Sequence, residues 1–344
     1  MPISDEFHVC RECPSNIALV KYWGKREGQF PINPSLSFSL KGALTRTKVT
    51  LLPRGKERLV FLFEGKPSPF AARVEGYLRL LAGELPWINH YTLYIESRNT
   101  FPHSTGIASS ASAFGALALC LTDLDRQLSG KKDGDFRQKA SRLARMGSGS
   151  ASRSVYPGFV WWGKSAIVAG SSDDYAIPVP EPISPGYFGL RDAVLLVDST
   201  KKDVSSSAGH DLMIRHPYKQ ARISQANANA EELLRLMRTD DYIRFFELVE
   251  QEAFSLHALM MSSSPAFLLL KPNSLRVIEK IRNFRRQTGL PVGLTIDAGP
   301  NIHFLYFSEN QEVIHRFIES ELLSLLENGV WLDDGIGNAP VRVE

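Results

Sequence analysis

Apolar residues recur at every third or fourth position in several stretches of this chain, which is the spacing of one face of an α-helix. Between positions 71 and 81, for example, Val74, Tyr77, Leu78 and Leu81 fall on one face. Gly289 follows another such stretch and is the kind of residue at which helices end. The pattern predicts helices over Ala71–Leu81, Phe136–Met146, Leu275–Thr288 and Glu312–Leu326, and helical structure from Pro217 to His257.

Other stretches alternate between apolar and polar residues or run apolar, and they are rich in β-branched and aromatic side chains. Both features are typical of strands. Strands are predicted over Phe7–Cys13, Thr47–Leu52, Arg58–Phe63, Tyr91–Ser97, Asp192–Val197, Gly293–Ile296 and Ile302–Phe307. The proline-rich stretch Pro178–Tyr187 indicates a connection near a domain boundary.

The stretch Asn99–Leu119 places a loop of small residues between a predicted strand and an amphipathic helix that Ser109 and Ser110 open. The first N–H groups of a helix lack backbone partners and lie at the positive end of its dipole, so a phosphate can bind there. The loop is not the G-x-x-x-x-G-K-[ST] type, because no lysine follows its glycine. The alternative is that a serine merely caps a helix packed in the core.

Composition excludes several classes of protein. The 344 residues are 43% hydrophobic and 22% charged, which is typical of a globular protein with one large or two ordinary domains. A net charge of +3 is too small to indicate a nucleic-acid partner. No apolar run is long enough for a membrane span, and the first residues lack a signal-peptide pattern. Three cysteines fit a reducing, cytoplasmic location, and Cys10 and Cys13 are predicted to be packing residues.

Two segments carry basic groups that could hold an anionic substrate. Lys21 and Lys25 flank an aromatic pair, and they either bind a phosphate or carboxylate or form a solvated face around Trp23. Arg153 lies in the segment 147–159, which is rich in glycine and serine. That segment is either a loop where backbone approaches a ligand closely or a plain flexible loop.

Two further positions have the same ambiguity. Lys201 precedes a run of serines and could reach a nucleotide phosphate, or the segment could be an exposed turn before a helix. Asp297 follows a predicted strand and could hold a ligand or accept a proton, or its side chain could only cap the turn.

Together these segments resemble the superfamily of galactokinase, homoserine kinase, mevalonate kinase and phosphomevalonate kinase, whose phosphate loop is similar to P-x-x-x-G-I-A-S-S-A here. Within it, the chain is most similar to the diphosphomevalonate decarboxylases. Five segments carry this resemblance, in the same order over nearly the full chain: Asn16–Arg26, Phe101–Ala113, Gly147–Phe159, Lys201–Gly209 and Asp297–Asn301.

The resemblance implies ATP- and Mg²⁺-dependent decarboxylation of mevalonate 5-diphosphate to isopentenyl diphosphate in the mevalonate pathway. It also implies an α+β, two-lobed fold. Residues 1–190 would form a lobe like domain 2 of ribosomal protein S5, and residues 191–344 an α/β sandwich lobe, with the last residues able to return to the first lobe. A homodimer without nucleic-acid or membrane partners is expected.

The resemblance assigns roles to individual residues. Asp297 would orient or deprotonate the substrate hydroxyl, Arg153 would hold the carboxylate or a nearby phosphate, Asn16 would orient Arg153, and Lys21 would balance charge beside Asp297. The remaining residues are expected to bind ligands. Those for the substrate are Tyr22, Lys25, Ser148, Ser150 and Arg153; those for the nucleotide are Gly106, Ala108, Ser109, Ser110, Lys201 and Ser206, with Ser110 also a possible Mg²⁺ contact.

Two departures from the family pattern affect these expectations. His103-Ser104-Thr105 replaces smaller residues in the phosphate loop, and His103 could contact phosphate or stabilise the loop. Ser207 stands where some bacterial relatives have an arginine, so mevalonate 5-monophosphate is a second candidate substrate. A kinase that phosphorylates without decarboxylating and a non-catalytic metabolite-binding relative are two competing hypotheses for the function. The presence of Asp297 and the two loop serines disfavours the non-catalytic one.

Overall fold

The computed structural model describes residues 7–101, 107, 109–130, 134–180, 182–200 and 206–343, with the backbone alone for 206–208. Within these ranges, no helix combines the length and the apolar character needed to cross a membrane. The strands are β1 His8–Ala18, β2 Ser35–Pro53, β3 Leu59–Phe63, β4 Lys66–Pro67, β5 Tyr91–Asn99, β6 Phe159–Trp162, β7 Ala176–Pro178, β8 Leu190–Leu195, β9 Gly293–Thr295, β10 Ile302–Phe307, β11 Trp331–Gly335 and β12 Val341–Arg342. The α-helices are α1 Ala71–Leu81, α2 Ser109–Ser129, α3 Phe136–Gly147, α4 Ala151–Ser154, α5 Ser206–Leu212, α6 Lys219–Leu236, α7 Tyr242–Met261, α8 Pro272–Thr288 and α9 Gln311–Phe317.

The strands form two sheets, and the α+β class expected from the sequence is confirmed. Among the described residues, the first sheet has eight strands: its main path is β12-β1-β2-β5-β3-β4, and β6 and β7 extend from β2. The second sheet has four strands in the order β11-β8-β10-β9. The chain end returns to the first sheet, because β12 pairs with β1.

Three large apolar clusters fill the space between these sheets and their helices. The first lies under α2, whose apolar stripe of Ala111, Phe114, Ala118 and Leu121 is buried. The second joins the two sheets, because side chains of β1 and β2 pack with side chains of α6, α7 and β8. The third lies on the other face of the second sheet, against α8. Because apolar clusters cover both faces of this sheet, nearly every residue of β8 and β10 is buried, and neither strand alternates between buried and exposed positions.

Most predicted elements are confirmed, and the differences have physical causes. The helical pattern from 217 to 257 is two helices, because the segment around Asp240 breaks it and the Asp241 side chain accepts a hydrogen bond from the Arg244 N–H to begin α7. The closing helix is regular only in α9; it continues as a π segment and a short 3-10 turn. The predicted strand Thr47–Leu52 is one end of the much longer β2.

Cys13 and Cys120 lie beneath the first sheet, and Cys10, Cys13 and Cys120 are all free and buried. Gly115 of α2 faces Cys13 so closely that a Cβ at position 115 would lie 2.5 Å from its Sγ. Within the described ranges, no group of three or more His, Cys, Asp or Glu side chains could hold a metal. The burial of Cys10 and Cys13 agrees with the packing role predicted for them.

An irregularity in the pairing of β1 with β2 brings the two sheets together. Pro14 pairs with Leu44, but Asn16 pairs with Ser39, so β2 has several more residues than β1 at this point. The Asp334 carboxylate of β11 accepts hydrogen bonds from the N–H groups of residues 41, 42 and 43, at 2.8–3.1 Å. One buried carboxylate thus satisfies backbone donors that the irregular register leaves without strand partners.

We expect Asp334→Asn to lower the free energy of unfolding by about 1–3 kcal/mol, because an amide provides one acceptor oxygen where the carboxylate provides two. Urea denaturation followed by circular dichroism measures this change. Glu319→Gln, which alters an exposed carboxylate, is the control and should change stability by less than about 0.5 kcal/mol. Equal stability of Asp334→Asn and the wild type would contradict the assigned role.

Candidate active site

A cleft of about 640 Å³ opens between the first sheet with its helices and the turn after β9. Its walls come from the segment that follows β1, from α1, from the starts of α2 and α4, from α5, and from the β9–β10 turn. The charged and polar side chains in the walls are Asn16, Lys21, Tyr22, Lys25, Gln29, Arg73, Tyr77, Ser110, Ser148, Ser150, Arg153, His210 and Asp297. All eight substrate-binding and catalytic candidates from the sequence therefore share one cavity.

The centre of the cleft is an ion pair between Lys21 and Asp297. The Lys21 Nζ lies 2.7 Å from Asp297 Oδ1, and the lysine side chain is 2% exposed whereas the aspartate side chain is 27% exposed. Asp297 lies in the turn after β9, where its carbonyl oxygen is 3.1 Å from His257 Nε2. The carboxylate therefore faces the cavity beside a buried cation, as a group that handles a substrate hydroxyl must.

The backbone of Lys21 is held by a buried ion pair between α6 and α7. Glu252 Oε2 accepts a hydrogen bond from the Lys21 N–H at 3.0 Å, and Arg222 Nη2 donates to the Lys21 carbonyl at 3.3 Å. The two side chains also bind each other through a double hydrogen bond of 2.6 and 2.7 Å. Asn229 donates a further hydrogen bond to Glu252, and Asn33 donates a second one to the Lys21 carbonyl. Helices of the second half of the chain thus orient a lysine of the first half.

The geometry around Glu252 also explains its ionised state. Its carboxylate is fully buried, and burial alone would raise its pKa. Hydrogen bonds and charge from Arg222, together with the Lys21 N–H and Asn229, outweigh burial and lower the pKa of Glu252 below its usual value. Glu252 therefore stays charged.

Arg153 lies beside this pair, but in a short helix and not in a loop. The sequence predicted an open segment over 147–159; the structure has α4 at Ala151–Ser154, and Arg153 is 2% exposed. The guanidinium donates to Asn16 Oδ1 at 3.1 Å and to Ser35 Oγ, and it lies over the ring of Trp162. Burial lowers the pKa of Arg153 to about 10, although Asp297 and Tyr22 oppose the shift, so the group is still a cation at neutral pH.

The orientation of Asn16 is determined by hydrogen bonds of its amide. The Asn16 Nδ2 group donates to the Ser154 Oγ at 2.7 Å and to the Ser150 carbonyl at 3.1 Å, which leaves Oδ1 for Arg153. Asn16 is also the first residue of β1 after the irregular register, so the fold itself sets its position. The contact between Asn16 and Arg153 that the resemblance implies is thus present.

The remaining substrate-binding candidates line one wall. Ser148 and Ser150 flank Gly149, with 3.3 Å between their hydroxyl oxygens. A Cβ at Gly149 would lie 2.6 Å from the Tyr22 hydroxyl oxygen, so the glycine lets this ring approach the backbone. Burial raises the pKa of Tyr22, which keeps the phenol protonated. Lys25 is 4.0 Å from Asp211 and also lines the cleft.

The nucleotide-binding candidates are only partly described. Ser109 is the first residue of α2, and Ser110 lines the cleft, whereas Ser109 does not. Ser206 begins α5, but its side chain lies outside the described part of the chain. Gly106, Ala108, Lys201 and the loop residue His103 also lie outside the described residues.

Sequence reasoning missed several residues of this site. Arg73 and Leu80 of α1 line the cleft together with Gly76 and Tyr77 of the same helix. The available signal for Arg73 was its spacing: it lies one helical turn before Tyr77, on the same face of α1. The Arg222–Glu252 pair left no comparable signal, since each residue is one of many charged positions in a helical stretch. His210 was missed because its partners are distant in sequence.

Comparisons with known proteins agree with this geometry. The model of the diphosphomevalonate decarboxylase-like N-terminal domain matches residues 13–176, and that of the mevalonate 5-diphosphate decarboxylase C-terminal domain matches residues 193–326. The diphosphomevalonate decarboxylase of Eremothecium gossypii is 31% identical over 327 residues, which cover 89% of this chain and 79% of the relative.

Solved structures resemble the whole chain. The crystal structure of mevalonate diphosphate decarboxylase from Staphylococcus aureus is 29% identical, with a TM-score of 0.86 and 99% coverage of both chains. A structure of MDDEF in complex with MVAPP, AMPPCP and magnesium is 28% identical, with a TM-score of 0.86 and coverage of 99% of this chain and all of the other. On both sequence and structure, this chain belongs to the diphosphomevalonate decarboxylase family.

Proposed function

We propose that this protein catalyses the ATP-dependent decarboxylation of mevalonate 5-diphosphate, which yields isopentenyl diphosphate, carbon dioxide, ADP and phosphate in isoprenoid biosynthesis. The observation that carries the proposal is the cleft in which Asp297, Lys21 and Arg153 meet. A carboxylate beside two buried cations suits a substrate that has a hydroxyl, a carboxylate and a diphosphate. The complex of the related MDDEF with MVAPP and an ATP analogue supports the same reaction.

Asp297 would act on the tertiary hydroxyl of the substrate. A hydroxide is a poor leaving group, so the hydroxyl must first become a phosphate ester by attack on the terminal phosphorus of ATP. The partly exposed Asp297 carboxylate would orient the hydroxyl or accept its proton during this attack. Glu252 and Arg222 fix the Lys21 backbone through hydrogen bonds. The Lys21 ammonium group would in turn orient the Asp297 carboxylate and balance its charge.

Arg153 would bind the substrate carboxylate. Loss of the new phosphate leaves positive charge developing at the carbon, and departure of carbon dioxide supplies the electron pair of the alkene. The Arg153 guanidinium is already fixed by Asn16 and Ser35, so little reorganisation accompanies binding. A preoriented cation would hold the carboxylate in the conformation from which carbon dioxide leaves.

The described residues also suit a magnesium nucleotide. Ser110, in the first turn of α2, lines the same cleft as Asp297. Its hydroxyl and the first N–H groups of the helix would hold phosphate oxygens and their metal. Mg²⁺ bound with ATP supplies charge neutralisation at the transferring phosphoryl group. Gly106, Ala108, Ser109, Lys201 and Ser206 remain candidates for nucleotide contacts.

The proposal extends to domain organisation, assembly and location. Residues 1–190 and 191–344 would form the two lobes of the fold, and the protein would be a homodimer, as the family resemblance implies. Three free, buried cysteines are consistent with a reducing compartment and thus with the cytoplasm. Light scattering of the purified protein tests the dimer.

We expect the purified protein to release carbon dioxide and ADP in equal amounts from mevalonate 5-diphosphate, ATP and Mg²⁺. A coupled assay for ADP and trapping of labelled carbon dioxide measure the two products separately. ADP without carbon dioxide would instead identify a kinase, and faster turnover of mevalonate 5-monophosphate would change the substrate. Neither product from either substrate would favour a binding protein.

Asp297→Asn should lower kcat by about 10²–10⁴-fold, because the amide keeps the shape of the side chain but cannot accept the proton. Single-turnover measurement of ADP formation reports this step directly. Asp240→Asn, in an exposed turn before α7, is the control and should keep wild-type kcat. A kcat within threefold of the wild type for Asp297→Asn would refute the role of this carboxylate.

Arg153→Lys should lower kcat/KM by about 10²-fold or more, since lysine keeps the charge but cannot bond Asn16, Ser35 and the substrate at once. Steady-state kinetics of carbon dioxide release test this. The matched substitution Arg244→Lys, at an arginine that is 52% exposed, should have no effect. Full activity of Arg153→Lys would mean that only positive charge is needed there.

A further inference from the structure

His210 of α5 is a buried histidine in the wall of the cleft that none of the proposed steps uses. The residue is only 9% exposed, and its ring stacks obliquely between two aromatic side chains. The ring centroids lie 4.4 Å from Tyr22 and 4.8 Å from Trp23. The preceding Gly209 permits this arrangement, because a Cβ there would lie 2.4 Å from the Trp23 ring. The imidazole is therefore held in one place.

A hydrogen bond determines which ring nitrogen of His210 carries the proton. The Nδ1 atom accepts a hydrogen bond from the Gly24 N–H at 3.0 Å, so Nδ1 has no proton of its own. In a neutral imidazole the proton must then be on Nε2. Burial, with the nearby charge of Lys25, lowers the pKa of His210 to about 3, which keeps the ring neutral. The side chain thus offers one N–H donor.

That donor has no partner in the described part of the chain, where the only hydrogen bond of the His210 side chain is the one from Gly24. The ring nevertheless lines the cavity. The Nε2 atom is not among the fully enclosed polar atoms of the described residues that lack a partner, so it is open to the cleft. A ligand acceptor in the cleft can therefore bond to it.

The charges near His210 indicate which part of a ligand it meets. Lys25 directly follows Gly24, which donates to His210, and the Lys25 Nζ lies 4.0 Å from Oδ1 of Asp211, the residue after His210. The reacting carboxylate Asp297 pairs instead with Lys21. Lys25 and His210 thus form a part of the cleft wall distinct from the Lys21–Asp297 pair. In mevalonate 5-diphosphate the phosphates are the groups most distant from the reacting hydroxyl and carboxylate.

We propose that the His210 Nε2–H group binds the distal phosphate of the substrate, beside Lys25, and favours a diphosphate over a monophosphate. This inference rests on the proposed function, because that function supplies the substrate. The Lys25 ammonium group attracts a phosphate without strong directional preference, whereas the His210 Nε2–H group, fixed by Gly24, can form a directional hydrogen bond with it. A monophosphate that reacts at Asp297 would not reach this donor.

Two substitutions test the roles of the two ring nitrogens, Nδ1 and Nε2, independently. His210→Asn can keep an acceptor for the Gly24 N–H but lacks the distal donor, whereas His210→Gln places an amide N–H near the position of Nε2. We expect His210→Asn to weaken binding of mevalonate 5-diphosphate by about tenfold to hundredfold, as for one hydrogen bond to a charged group. His210→Gln should bind within about threefold of the wild type. Titration calorimetry without ATP measures the Kd of both variants.

The ratio of affinities is the critical result. His210→Asn should leave the Kd of mevalonate 5-monophosphate unchanged, so that the preference for the diphosphate falls. Equal weakening of both ligands would overturn the assignment to the distal phosphate, and unchanged binding of the diphosphate would overturn the proposal altogether. In the wild type, the Nε2–H resonance of ¹⁵N-labelled histidine should shift on addition of the diphosphate and not of the monophosphate. Absence of that shift would also overturn the proposal.

His216 offers a matched control. Its Nδ1 likewise accepts a hydrogen bond from a backbone N–H, that of Tyr218 at 3.1 Å, but its Nε2 lies 3.0 Å from the Leu259 carbonyl and not in the cleft. His216→Asn should therefore lower stability without changing either Kd. Carbon dioxide release by the wild type tests the proposed function independently. A protein that binds the diphosphate through His210 but releases no carbon dioxide would refute the function and leave this inference standing.

Discussion

The ion pair between Lys21 and Asp297 is the constraint on which the site depends. An ammonium group that is 2% exposed loses most of its hydration, and that loss must be offset by a close anion. Asp297 provides the anion from the other sheet, at the turn between β9 and β10. The segment after β1 must therefore lie against that turn. Arg222 and Glu252 hold the Lys21 backbone in this position.

The electrostatics of the cleft follow from that arrangement. Lys21 and Arg153 are both buried, but protein groups neutralise only part of their charge. Positive charge fixed in a poorly hydrated cavity attracts an anionic ligand more strongly than the same charge in water does. Because Asn16, Ser35 and Glu252 already hold these cations or their backbone, the protein has met most of the cost of ordering them during folding.

The sequence predicted regular elements well, because local periodicity reports which face is buried. Helix α1 and strand β10 have the predicted bounds, and Gly289 ends α8 with a positive φ as expected. The full length of β2 was not predicted, since its irregular pairing near Leu40 interrupts the alternation. Helix α4 was not predicted either, because it has only four residues, lies in a segment rich in glycine and serine, and is held by tertiary contacts of Arg153.

The identities of the main site residues could be predicted from the sequence, but the contacts that position them could not. Motifs and family resemblance pointed to Lys21, Arg153 and Asp297, and the fold places all three in one cleft. The supporting groups were not found, because Glu252 and Arg222 act across 231 and 201 positions of sequence. Such long-range partners leave no local pattern. His210 depends in the same way on a contact with Gly24, 186 positions away.

The double hold on the Lys21 backbone has a consequence for how such proteins can diverge. The N–H and the carbonyl of residue 21 are bound by two helices encoded far downstream. Every residue type except proline carries both of these groups, so the contacts do not depend on the side chain at position 21. The side chain that meets Asp297 can therefore change in evolution without loss of the backbone contacts, provided that Arg222 and Glu252 persist.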